Sequence, residues 1–137
     1  VRGEIVRFGF ATGRLGKDAK LTVGYTQLRL SGLDGQDTFE WVPRRTLNFR
    51  VDGPMPGLSA LRLGLAGRWQ SDVYKVGSAR QDAYFKADAF AAYALNERTT
   101  LRLNVNNLFD KKAIGGLAYG AIYTAPRNVA LSLNYRL

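Results

Sequence analysis

The residues best equipped for chemistry in this chain are cations set at two-residue spacing. Lys20, Arg50, Arg62, Arg68, Arg102 and Arg136 fall at even positions of alternating tracts, with Asp52 and Asp88 as the acidic counterweight. Such an excess lining a low-dielectric cleft focuses the field and attracts anions. Arg68 and Gln70 close one tract, and Trp41 closes a polar stretch. Tyr119 and Tyr123 sit in a Gly/Ala-rich run from Gly115 to Ala125. Aromatic rings on such a run could close over a bound ligand, although loop packing is the simpler use for them. Other chemistries are excluded by composition. The 137 residues contain no Cys and no His, which removes disulfides, thiolate nucleophiles, the commonest general base and the usual zinc motifs. No constellation supports catalysis. The net charge is +9, but the Arg residues alternate with Leu instead of clustering, so nucleic acid is not the expected partner.

The elements that position these side chains are strands. Leu101, Leu103 and Val105 alternate with Arg102, Asn104 and Asn106, and Val129, Leu131, Leu133, Tyr135 and Leu137 alternate with Asn128 through Arg136. Leu61 to Gln70 repeats the pattern. A period of two sends successive side chains to opposite faces of a strand. Seven strands are predicted, over about 3–12, 19–30, 43–52, 59–71, 83–94, 99–108 and 127–137. The first and fifth are the weakest. Ile5 lies opposite Val6, Phe8 and Phe10, and the stretch 83–94 is apolar on both faces apart from Lys86 and Asp88. The connections alternate in length. Gly13 to Asp18, Gly53 to Gly57 and Leu95 to Arg98 are short, whereas Ser31 to Trp41, Asp72 to Asp82 and Phe109 to Pro126 are long. Asp52-Gly53-Pro54 and Pro56-Gly57 read as turn breakers.

Along the alternating tracts of the five clearest strands (21–25, 47–51, 61–70, 101–106 and 128–137) the odd face carries Leu, Val, Phe, Tyr, Trp and one Gly without a charge, and the even face carries cations with Asn, Thr, Ser and Gln. A soluble sandwich alternates in the same way. Three features favour an antiparallel up-and-down transmembrane β-barrel segment instead, apolar towards lipid and polar towards a lumen. The tracts run to about ten residues, Trp69, Tyr93 and Tyr135 sit near strand ends, where interfacial girdles form, and tight turns alternate with long loops. In lipid every backbone N–H and C=O must pair internally, which a closed sheet achieves. Seven strands would leave two edges, and the N-terminus lacks an initiator Met, so the expectation is that residues 1–137 are the C-terminal part of a larger barrel. A small outer-membrane or soluble all-β binding or structural module is the alternative.

LRLNVNNLFDKK at residues 101–112 resembles the "LRLNVNNLFDKKY" strand of TonB-dependent siderophore receptors, and APRNV at 125–129, running to NYRL at 134–137, is similar to their C-terminus. WVPRRTLN at 41–48 and GRWQSD at 67–72 are weaker matches. The chain departs from the pattern at Leu137, where an aromatic residue is usual, and at Ala113, where Tyr is frequent. The resemblance implies a bacterial outer-membrane receptor with a barrel of about 22 strands, whose plug domain, TonB box and earlier strands lie outside this chain. It implies import of a ferric siderophore, driven by TonB–ExbB–ExbD through the absent N-terminal region, with iron present only as part of the substrate and no cofactor. It also places the three long connections outside the cell and the three short ones in the periplasm. Arg68, Gln70, Trp41, Tyr119 and Tyr123 are then the candidate ligand contacts near the outer mouth. Asn106, Asn107, Leu108, Phe109, Asp110, Pro126, Arg127 and Asn128 form the recognisable motif, with a structural role expected at the strand-to-loop transition.

Overall fold

A computed structural model describes residues 2–15, 18–31, 41–75, 79–117 and 120–137. Among them there are eleven strands: β1 (Arg2–Leu15), β2 (Ala19–Ser31), β3 (Arg45–Met55), β4 (Leu58–Gln70), β5 (Val73–Lys75), β6 (Ala79–Gln81), β7 (Tyr84–Asn96), β8 (Thr99–Asn106), β9 (Ile114–Leu117), β10 (Ala121–Tyr123) and β11 (Asn128–Tyr135). Seven of them form one antiparallel sheet in the order β1-β2-β3-β4-β7-β8-β11. Every neighbour in that sheet is the next long strand in sequence, as an up-and-down wall requires. The stretch 84–96 is a strand despite its alanines, because β4 and β8 pair with it on both sides.

Register keeps the two faces separate across strand boundaries. Leu47 pairs with Trp69, Val51 with Leu65, Leu65 with Ala89, Ala91 with Leu103 and Leu103 with Leu131. On the other face Arg50 pairs with Ala66, Ala66 with Asp88 and Asn106 with Asn128. From β2 to β11, same-parity pairing makes one continuous apolar face and one continuous polar face along the middle of the strands. Nothing among the described residues covers the apolar one. Leu63, Leu65 and Leu103 at the centre of the sheet are exposed. Among the described residues, the buried aliphatic side chains are Val73, Ala87 and Ala113. A sandwich would seal the leucines against a second sheet; here the sheet is a single layer.

Three details differ from the sequence expectation. Two long connections contain hairpins of their own, β5–β6 and β9–β10. The Gly53-Pro54 breaker lies inside β3, with Pro54 paired to Arg62 and a register shift immediately after it. Proline is tolerated there because the last β2–β3 pair is Lys20 with Asp52, so one flank carries no further ladder. The turn itself is Pro56-Gly57, with Gly57 at φ 80°. Finally, β1 carries a bulge between Ile5 and Arg7, which shifts the phase at the point where Ile5 falls out of the alternation.

Candidate functional site

The polar face is organised by what lies beside each cation. Arg62 grips Asp52 through Nε at 3.2 Å and a second guanidinium nitrogen at 2.7 Å, and Arg50 approaches the same carboxylate at 3.5 Å. One row across, the Phe90 ring lies over Gly64, where a Cβ would meet it at 2.0 Å, so only glycine leaves room for the ring in that position. The guanidinium of Arg102 stands 4.5 Å from the ring centroid and that of Arg50 stands 5.8 Å from it, both within cation–π range. Arg102 also donates from Nε to Asn104 Oδ1 at 3.0 Å. Phe90 is thus an apolar residue on the polar face, held between two cations.

Towards the long connections the face opens into a cleft of about 480 Å³, whose lining includes Asn48, Arg68, Lys86, Asp88, Asn106 and Asn128. Arg68 stands directly opposite Lys86 in the β4–β7 ladder and opposite Asn48 in the β3–β4 ladder. Asn107, Ala125 and Pro126 also line the cleft.

The last connection is tied down by Asn107. It is 2% exposed and adopts a left-handed backbone, φ 54°, a conformation that Asn enters more readily than most residues. Its side-chain oxygen accepts from the Lys111 amide at 2.8 Å, and its side-chain nitrogen donates to the carbonyls of Lys111 and Ala125, each at 3.0 Å. Its backbone N–H donates to Asp88 Oδ1 at 2.7 Å. Asp110, also left-handed at φ 51°, accepts the Arg127 amide at 2.8 Å. Asn106 donates to Asn128 at 2.8 Å, and the Leu108 amide donates to the Ala87 carbonyl. The NNLFD and APRN segments are therefore one hydrogen-bonded unit. Phe109 faces outward, its ring 6.3 Å from that of Phe85, which in turn stacks on Phe49 at 6.1 Å.

The remaining candidates do not converge on the cleft. Gln70 is buried at the end of β4, between Thr46 and Tyr84 in the ladder. Trp41 is half-buried in a left-handed conformation, φ 60°, and its amide donates to the Tyr74 carbonyl at 2.9 Å. Tyr123 is exposed on β10. Tyr119 lies outside the described residues. Two positions not singled out beforehand join the connections together. Ser71 Oγ accepts from the amides of Arg44 and Arg45, and Gln81 Oε1 accepts from the Ile114 amide at 2.9 Å. Single Ser and Gln residues in polar connections gave no advance signal. Lys86 is the other residue missed, because alanines on both faces of β7 hid the alternation.

Comparison with known proteins agrees with this wall-like sheet. Residues 6–108 match the family described as TonB dependent receptor-like, beta-barrel. The chain is 37% identical over 121 residues to the ferric-pyoverdine 358 receptor of Pseudomonas putida, which covers 82% of this chain and 14% of that protein. It is 27% identical over 136 residues to the ferripyoverdine receptor of Pseudomonas aeruginosa, covering 90% of this chain and 17% of the relative. The structure of P. aeruginosa FpvA bound to heterologous pyoverdines superposes with a TM-score of 0.85 at 25% identity, over 92% of this chain and 18% of that one. The chain thus spans less than a fifth of the length of the relatives it matches. These relatives are outer-membrane receptors and not enzymes, and the chain belongs to the β-barrel family of TonB-dependent receptors.

Proposed function

We propose that this chain forms seven adjacent strands of the barrel wall of a receptor that binds a ferric siderophore at the cell surface and imports it. The observation that carries the reading is the 37% identity, over 82% of the chain, to a receptor named for ferric pyoverdine. The geometry supports it. An apolar face suited to hydrocarbon backs a polar face on which cations outnumber carboxylates, and many ferric siderophores are anions. The outermost strands of the sheet, β1 and β11, each pair on one side only, so we assign their other partners to further strands of a barrel of about 22. We assign the plug, the TonB box and the contact with TonB–ExbB–ExbD to the rest of the receptor. Iron enters as substrate within its chelate. The test is uptake of radiolabelled iron as ferripyoverdine by the host bacterium, with the gene deleted and then restored. Loss on deletion and recovery on restoration is expected. Unaltered uptake of ferripyoverdine and of a panel of other ferric siderophores would refute the reading.

A further inference from the structure

Arg68 and Lys86 are cross-strand partners on one face of the sheet. Cβ atoms so paired stand about 5 Å apart, and like charges in that relation repel. Among the described residues neither side chain makes an ion pair or a hydrogen bond. The nearest acid along the strand, Asp88, uses one oxygen to accept the Asn107 amide. By contrast, Arg50 and Arg62 share Asp52, and Arg102 has both Asn104 and the Phe90 ring. Asp88 lines the same cleft but forms no ion pair with either cation, so the repulsion between Arg68 and Lys86 is only partly offset, in a cleft whose volume of about 480 Å³ falls in the range of small-molecule sites.

The surroundings supply what an anion needs. Asn48 continues the row on the next strand, so an amide, a guanidinium and an ammonium lie side by side across β3, β4 and β7. Asn106 and Asn128 line the same cleft, with Pro126 beside them. We propose that this cleft binds the carboxylate of a small-molecule anion. Arg68 takes the carboxylate with its planar fork, Lys86 adds a point charge, and the Asn48 amide donates alongside. This rests on the receptor reading above, and it makes the ligand a carboxylate-bearing chelate whose free acid group docks here, away from the metal.

The experiment uses the whole receptor, purified in detergent micelles, with Arg68→Gln, Lys86→Gln and the double variant. Arg98→Gln, which removes the same charge at a turn on the opposite end of the sheet, is the control. The first probe is citrate at constant ionic strength, read as a shift in Tm, since a ligand that binds only the folded state stabilises it. Citrate should raise the Tm of the wild type and of the control and leave the double variant unmoved. Without citrate, Lys86→Gln should be at least as stable as the wild type, because a repulsion has been removed. A citrate shift equal in wild type and double variant, or absent from both, would overturn the proposal. So would a loss of stability in citrate-free Lys86→Gln, which would mean that the pair holds an acidic group of the protein itself. The second probe is ferripyoverdine, whose affinity should fall about ten-fold in either single variant, the loss expected for one charge-assisted hydrogen bond. Wild-type binding that the double variant matches would overturn the subsite and leave the receptor reading standing. An intact citrate response with no ferripyoverdine binding would do the reverse.

Discussion

Asn107 is fixed to its site by two independent demands, one on its side chain and one on its backbone. The amide makes three hydrogen bonds that no aliphatic residue can replace, and the backbone sits at φ 54°. Losing three bonds at about 1 kcal/mol each should make Asn107→Ala less stable by about 3 kcal/mol. Asn107→Gly loses the same bonds but not the backbone tolerance, so it should be milder than Asn107→Ala by about 1 kcal/mol. Urea unfolding of the receptor in micelles measures both. Gly64 makes a second case. Gly64→Ala forces the Phe90 ring off its seat and away from Arg102, which should cost about 1 kcal/mol, the worth of a cation–π contact, by the same assay. If Phe90→Leu proves as stable as wild type, the ring contributes nothing and that prediction fails with it.

At the scale of the strand, the two faces meet different solvents. Leu103 and Asn104 are neighbours in β8 with opposite directions. In a bilayer Leu103→Arg should cost about 2–4 kcal/mol near the midplane, while Asn104→Arg should cost much less. Equal tolerance of both would count against lipid on the leucine side. Alternation was legible in the sequence because it runs for eight or more residues in the long strands and each residue on the wrong face would be penalised. The hairpins β5–β6 and β9–β10 were not legible. Their strands run to three or four residues, too short to show a period, and two of the four residues in β9 are glycine. The motif residues of the last connection could be recognised from NNLFD and APRN, but not which atoms they join. The Arg68–Lys86 pairing was hidden for a further reason. Cross-strand register depends on turn length and on bulges such as the shift after Pro54, and no single strand records it.

For the whole chain, the decisive feature is a wall with one greasy side and two strands paired on one side only. Leu131 on β11 is 68% exposed and Leu103 in the next strand is 39% exposed, so solvent access rises towards the unpaired flank. Unpaired edges and open apolar surface drive association in water. The 137-residue chain expressed by itself should therefore aggregate in plain buffer and disperse in detergent, which size-exclusion chromatography with and without micelles would read. A stable monomer in buffer would refute the lipid-facing assignment.

The strand order has a kinetic consequence. Within this sheet each long strand bonds to its neighbours in sequence, so none of the pairings among these seven strands joins distant parts of the chain, and only closure of the complete barrel would. The entropy lost per step stays small, and contact order with it. A wall of this kind can lengthen hairpin by hairpin, each added ribbon using the last one as its template.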